Sequence, residues 1–143
     1  MRKILLTFLV SAFLLTGCFG GKKLTCTMTG TEEGMETSTK VVIDFKNDKA
    51  TKVDMEMKMI VDEEAAEYLD FMVEMMKLGF AELEEQGWEV SVDTNGNTII
   101  MKMIADISKL EASASDVGLF DFSKDASYED TKKDAEAEGF TCK

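Results

Sequence analysis

The clearest pattern in the chain is a run of alternating apolar and charged side chains. The apolar residues Val53, Met55, Met57, Met59 and Val61 alternate with the charged residues Lys52, Asp54, Glu56 and Lys58. A period of two places the apolar set on one face, so it predicts a half-buried antiparallel strand. Strand-forming runs at 24–29 and 36–45, separated by turn-like segments at 31–34 and 46–49, predict two earlier strands of a meander.

The period changes after residue 61. Between residues 62 and 86 the apolar positions recur at spacings of three and four, which predicts a long helix with a broad apolar face toward the sheet. The residues expected on that face are Ala65, Tyr68, Leu69, Met72, Met75, Met76, Phe80 and Leu83. Acidic residues at 62–64 suit the first turn of a helix, and Gly87 suits its end.

The remaining third of the chain predicts a hairpin, a helix and a short strand. Asn95-Gly96 lies between strand-like runs at 88–92 and 98–104, which is a strong hairpin signal. Residues 105–122 are ambiguous, with a short helix around 109–113 as one interpretation. Ser127 is placed to cap a second helix, Gly139 to end it, and 140–143 to form the last strand.

These elements predict the fold class. The order is β-β-β-α-β-β-(α)-α-β, in which the bracketed helix is the ambiguous one. We expect an α+β domain with a mostly antiparallel sheet and a long helix packed on one face, in two layers.

The N-terminus has the pattern of an export signal. Arg2 and Lys3 precede an apolar run, which ends at Leu15-Thr16-Gly17-Cys18. A positive start, a short apolar stretch and small residues before a cleavage point form a secretory signal, and the apolar run is short for a transmembrane helix. A cysteine directly after the small residue predicts a bacterial lipoprotein, cleaved before Cys18 and lipidated there.

This signal predicts the domain organisation and the location. Residues 1–17 form the cleaved signal peptide, 18–23 a short lipidated tether, and 24–143 a single α+β domain. The expected location is the extracytoplasmic face of the cell membrane, with the lipid on Cys18 as the membrane anchor.

The other two cysteines lie near the two ends of the predicted domain. Cys26 and Cys142 are an even pair in an oxidising compartment, so we expect a structural disulfide. The alternative is two free buried thiols. A disulfide would require the strands that carry the two cysteines to be close, so we expect them to be neighbours in the sheet.

The net charge of the chain limits the classes of partner that it can bind. The formal net charge is −12, and removal of Arg2 and Lys3 with the signal gives −14 (−12 minus 2). So acidic a chain is poorly suited to nucleic acid or anionic lipid headgroups. A basic partner or a cationic ligand is allowed, although a solvated acidic surface is the simpler interpretation.

Nothing in the sequence points to catalysis. The chain has no histidine, which removes the commonest general base, triad member and metal ligand. No serine lies in a Gly-x-Ser-x-Gly context. Residues 93–97 resemble the start of a calcium loop, but position 104 is Ile where the bidentate Glu is expected, which favours a hairpin turn. We therefore expect no enzyme activity and no cofactor.

Methionine is the compositional exception, with 11 residues. Thioethers select Cu(I), so an extracytoplasmic methionine cluster is a candidate copper site. The candidate ligands are Met55, Met57, Met59, Met101 and Met103. Their positions match the buried face of each predicted element, so core packing is the preferred interpretation and no metal site is assigned. An adaptable hydrophobic pocket is a further alternative.

Several of these features occur together in one family. The run ending at Cys18, the early Leu24-Thr25-Cys26 strand, the closing run at 138–143 and the long helix between two hairpins resemble the YehR-like family of small bacterial lipoproteins. The resemblance implies a compact α+β fold and an extracytoplasmic location. It implies no reaction and no catalytic residues.

The expected function is therefore a lipid-anchored extracytoplasmic binding or interaction module. Its partner would be an unidentified small molecule or an envelope protein, and not nucleic acid. The alternative is a structural or accessory envelope lipoprotein that acts through protein contacts alone. Binding of Cu(I) by methionine is the least favoured alternative.

Overall fold

The computed structural model describes residues 21–32, 35–110 and 125–143. These residues form one six-stranded antiparallel sheet with helices packed on one of its faces. The predicted α+β class is confirmed. Because every described strand, helix and core residue lies between residues 21 and 143, a chain that begins at Gly21 retains the complete described fold.

The strands follow the predicted order. Their bounds are β1 Lys22–Glu32, β2 Met35–Lys46, β3 Lys49–Ile60, β4 Trp88–Asn95, β5 Thr98–Asp106 and β6 Thr141–Cys142. The sheet order is β4-β5-β3-β2-β1-β6. The meander of β1 to β3 therefore has the β4–β5 hairpin on one side and the short β6 on the other.

The helices differ from the prediction in two places. The expected single helix at 62–86 is divided into a one-turn α1, Glu63–Ala66, and a long α2, Leu69–Glu85. Asp62 caps α1 by accepting a hydrogen bond from the Ala65 amide at 2.8 Å. The Tyr68 amide then bonds the Ala65 carbonyl in a tighter turn, which ends α1 and lets α2 begin with Leu69 directed into the core.

The second difference is in the ambiguous region after β5. A single 3₁₀ turn, Ile107–Lys109, follows β5 and shares only Lys109 with the short helix expected around 109–113; residues 111–113 lie outside the described ranges. The last helix, α3 Tyr128–Ala137, begins as predicted, because the Ser127 hydroxyl accepts from the Asp130 amide at 3.1 Å. Among the described helices, none is long and apolar enough to cross a membrane.

The first and last strands are joined as predicted. Cys26 pairs directly with Cys142 across the β1–β6 ladder, and the two form a disulfide. Beside it, Thr25 and Lys143 exchange two backbone hydrogen bonds of 3.0 and 2.9 Å. This pairing fixes the C-terminus against β1.

The core lies between the sheet and the helices. One cluster, around Leu24, Cys26, Val41, Ile43, Phe45, Val53, Met55, Trp88, Met103, Ala135 and Phe140, spans the sheet from β4 to β6. A second cluster joins α2 to the far end of the sheet and consists of Val61, Leu69, Val73, Val92 and Ile99. The helices are thus held by two apolar groups at different ends of the same face.

The other face of the sheet has no helix packed on it among the described residues. Its central row pairs Thr27, Lys40, Glu56, Lys102 and Ser91 across the five longest strands. Glu56 lies 3.1 Å from Lys58 and 3.8 Å from Lys102. The hydrogen bond from Lys58 and the neighbouring positive charges lower the pKa of the Glu56 carboxyl.

Candidate interaction surface

Helix α2 is held to the sheet by the side that the sequence predicts. Leu69 and Val73 are buried, and Met72, Met76, Phe80 and Leu83 are partly buried against the two core clusters. Their spacings of three and four residues place them on one side of the helix. Packing of this side alone is enough to hold α2 on the sheet, so its outer side needs no contact within the domain.

The opposite side of α2 is also apolar. Four large side chains at and beyond its N-cap are exposed: Tyr68 by 65%, Phe71 by 64%, Met75 by 53% and Leu78 by 71%. At 100° per residue, Phe71, Met75 and Leu78 fall about 180° from the buried Leu69 and Val73 side. We call these four residues the outer stripe.

The outer stripe is comparable in area to the largest apolar patch of a typical soluble monomer. Taking about 200 Å² for a fully exposed large side chain, the four exposed fractions give roughly 500 Å² of mainly apolar surface. The largest apolar patch on a typical monomer is about 300–600 Å² and is often a binding site. The outer stripe is therefore the main candidate for a functional surface.

Two residues of the outer stripe were expected in the core. The sequence places Tyr68 and Met75 on the sheet-facing side, and this prediction is wrong because both are more than half exposed. Phe71 and Leu78 were not assigned to any face. The available signal was that Phe71, Met75 and Leu78 repeat at helical spacing about half a turn away from the buried set, so that α2 is apolar on two sides.

The outer stripe begins in a strongly acidic segment. Residues 62–76 contain six acidic side chains and no basic one: Asp62, Glu63, Glu64, Glu67, Asp70 and Glu74. All six are exposed. Glu74 flanks the stripe on one side by helical spacing, Glu67 directly precedes the stripe in the chain, and Glu82 continues its line beyond Leu78. The apolar surface therefore has an anionic border.

The candidate methionines lie on the core face of the sheet. Met55 pairs with Met103 and Met57 with Met101 across the β3–β5 ladder. Met55 and Met103 are buried, whereas Met57, Met59 and Met101 are partly buried. Core packing accounts for the buried pair, since thioether side chains fill irregular space between a sheet and a helix.

The calcium-like segment is a hairpin turn. Residues 93–95 end β4, and Gly96 and Asn97 form the turn before β5; Gly96 has a φ of 62°, which a left-handed turn position requires. The Asn97 side-chain amide donates to the Val61 carbonyl at 2.8 Å. Within the described ranges, no three His, Cys, Asp or Glu side chains are grouped so that they could hold a metal ion.

Two shallow concavities lie at the ends of the uncovered sheet face. One, of ≈ 530 Å³, is lined mainly by hydroxyl and charged groups of β1, β2 and β3, with Ile60 as its large apolar member. The other, of ≈ 610 Å³, carries both acidic and basic groups, among them Asp106. A hydrogen bond from the Ser108 hydroxyl lowers the pKa of the Asp106 carboxyl. Neither has the apolar lining typical of a small-molecule site.

The predicted lipidation site, Cys18, lies outside the described residues. The described chain begins at Gly21, and β1 starts at Lys22 opposite Phe45 at one end of the sheet. Strand β3 runs from this end to Ile60, which leads into α1 and the outer stripe at the opposite end. The chain thus enters the domain far from where the stripe starts.

Two solved structures share this fold. The NMR structure of Escherichia coli YehR is 18% identical, covers 86% of this chain and 92% of its own, and has a TM-score of 0.52. The NMR structure of a protein from Streptococcus pneumoniae TIGR4 is 16% identical, covers 85% and 86%, and has a TM-score of 0.50. No family model and no curated protein matches the chain.

These comparisons establish the fold alone, because both identities are low. The resemblance noted from the sequence is confirmed as a YehR-like fold. The lipoprotein character and the location remain predictions from the N-terminal sequence.

Proposed function

We propose that this chain is a lipid-anchored extracytoplasmic module that binds another protein through the outer stripe of α2. The observation that carries the proposal is the exposure of four large apolar side chains on a helix that is already packed on its other side. Such a patch weakens solubility unless it is used, and interaction surfaces commonly have this character.

A protein partner suits this surface better than a small molecule. Ligand pockets are concave and bury most of a small ligand, whereas the outward side of a helix is convex. The stripe spans ten residue steps from Tyr68 to Leu78, which is about 15 Å at 1.5 Å per residue. Contact along that length requires a partner with an extended surface of its own.

The anchor is proposed from the sequence and tested separately. Cys18 lies four residues before β1 begins at Lys22, so a lipid on Cys18 would hold the domain next to the membrane. Cys18→Ala should remove the site of lipid attachment, so that the protein no longer incorporates labelled fatty acid. Phe19→Ala, which leaves the cysteine in place, is the control. Unchanged fatty-acid labelling of Cys18→Ala would overturn the anchor without affecting the stripe.

The interaction is tested in the host cell by photocrosslinking. A photoreactive residue at position 78 lies in the stripe, and one at position 77 lies on the same helix but on its polar side, where Lys77 is exposed. We expect a discrete protein adduct from position 78 that is absent from position 77 and is lost when Phe71→Ala is added. Equal adducts at the two positions, or none at position 78, would contradict the proposal.

A further inference from the structure

We infer that the partner of the outer stripe is a basic amphipathic helix of another protein. This inference rests on the proposed function and names the chemistry of its partner. Two features of the surface lead to it: the acidic border of the stripe and the linear spacing of its apolar residues.

The acidic residues around the outer stripe determine the charge expected of the partner. The stripe starts among six exposed acidic residues, and the first basic residue after position 61 is Lys77. Burial of the stripe against an acidic surface would bring like charges together, which costs free energy and slows association. A partner with Lys or Arg beside its apolar residues would instead pair with this border and associate faster at low salt.

Spacing determines the shape of the partner. Tyr68, Phe71, Met75 and Leu78 follow one another at steps of three, four and three residues, so they form a single ridge along α2. Ridges of this kind pack into the grooves of a second helix. An amphipathic helix with apolar residues at the same spacing would cover the ridge along its full length.

A second copy of this chain suits the surface poorly. Two stripes of roughly 500 Å² each would bury about 1,000 Å² in total, the lower limit for a specific interface. In a symmetric pair the acidic borders would also face each other, since the same patch is used twice.

An anionic membrane surface is also a poor match for the outer stripe. The negative border would be repelled by acidic headgroups. Moreover, the 12 residues of β3 separate the end where the chain enters from the end where the stripe starts, which is about 36 Å at 3.3 Å per residue. With the lipid on Cys18 next to the entry end, the start of the stripe lies away from the bilayer.

The test is binding of synthetic peptides to the chain 21–143, measured by fluorescence anisotropy. The basic probe is an 18-residue amphipathic helix with Leu at the apolar positions and Lys elsewhere. The acidic probe replaces every Lys with Glu, and a scrambled basic probe keeps the charge without the apolar face. We expect the basic helix to bind at least about tenfold more tightly than either comparison peptide, and its affinity to fall as salt is raised.

Two sets of variants locate the site. Phe71→Ala should weaken binding of the basic peptide by about tenfold or more, as for an aromatic anchor. Ile60→Ala removes an exposed aliphatic side chain from the uncovered sheet face and should leave binding unchanged. Glu67→Lys with Glu74→Lys should abolish the preference for the basic peptide. Asp134→Lys with Glu138→Lys, the same charge change at an exposed position of α3 and at its exposed C-cap, should preserve it.

The outcomes separate this inference from the proposed function. Equal binding of the basic and acidic helices, with loss of both in Phe71→Ala, would overturn the partner chemistry and leave the stripe as a protein-binding surface. Equal binding of the basic and scrambled peptides would show that charge alone acts, and would overturn the inference. Absence of any peptide binding would also overturn it.

Each other possible occupant of the outer stripe would give a different experimental result. A dimer in solution that becomes a monomer with Leu78→Ala would show a second copy on the stripe. Binding to phosphatidylcholine or phosphatidylglycerol vesicles that is lost with Leu78→Ala would show a lipid surface. Loss of folding stability with Leu78→Ala as large as that of a core substitution would show that another part of this chain covers the stripe. Each of these results overturns both the inference and the proposed function.

Discussion

Reduction of the disulfide should remove a large part of the stability of this domain. Cys26 and Cys142 are 116 residues apart, so the bridge closes nearly the whole described chain into one loop. The chain-entropy model assigns about 5 kcal/mol at 25 °C to a loop of this length, which is an upper figure because many bridges deliver less. Small domains have total stabilities of about 5–15 kcal/mol, so this term is a third or more of the whole.

The structure gives a local reason why reduction of the disulfide should lower the stability. Strand β6 has only two residues, and its place in the sheet depends on pairing with β1 around Cys26. Cys26 is fully buried and belongs to the same core cluster as Ala135 and Phe140. Once the bridge is cut, α3 and β6 lose their covalent link to β1, so they should separate from the sheet first.

The assay is urea unfolding of the chain 21–143 with and without a reducing agent. We expect the reduced protein to lose about 2–5 kcal/mol of unfolding free energy. The double variant Cys26→Ala, Cys142→Ala is the control, because the reducing agent should not change its stability. A loss below about 1 kcal/mol on reduction would refute the reasoning, since loop closure would then contribute little.

The remaining predictions concern the helices and the uncovered sheet face. Leu69→Ala should lower the unfolding free energy by about 2–5 kcal/mol, whereas Leu78→Ala on the outer side of the same helix should change it by less than about 0.5 kcal/mol; similar losses in urea unfolding would contradict the assigned faces. Ser127→Ala should cost about 0.5–2 kcal/mol through loss of the α3 cap, whereas Ser127→Asn, which keeps a side-chain oxygen for the cap, should cost much less. Since the pKa of Glu56 is lowered on folding, its stabilising effect is present above pH 4.5 and lost as pH falls through the folded pKa. Glu56→Gln should therefore flatten the acid side of the stability–pH curve, and an unchanged curve would refute this.

Local patterns predicted the strands and turns well. The alternation in β3 survives in the structure, where Val53 and Met55 are buried and Lys52 is exposed. Side chains of a strand alternate strictly between two faces, so sequence alone separates the two sets. The pairing of Cys26 with Cys142 also followed from chemistry, because a disulfide requires its two strands to be close.

The position of β5 beside β3 did not follow from the sequence. The β4–β5 hairpin was recognised from Asn95-Gly96, but the pairing of a hairpin with the rest of a sheet depends on contacts between segments far apart in the chain. Those contacts leave no local signal. Here the pairing aligns Met55 with Met103, and burial of this pair fixes the register.

The outer stripe was missed for a different reason. Periodicity shows that a helix residue is apolar, but it does not show which apolar side meets the sheet when two sides are available. Helix α2 presents Leu69 and Val73 on one side and Phe71 and Leu78 on the other. Only the packing of the first pair against Val92 and Ile99 decides between the two sides.

The central claim is that the outer stripe is a binding surface for a basic helical partner. The most direct measurement is a titration of the basic amphipathic peptide into the isotopically labelled chain 21–143, observed by NMR. The account predicts saturable shifts at Phe71, Met75 and Leu78 and at the neighbouring Glu67, with little change at Lys102 on the uncovered sheet face. Shifts concentrated around Lys102, or no shifts in α2, would contradict it.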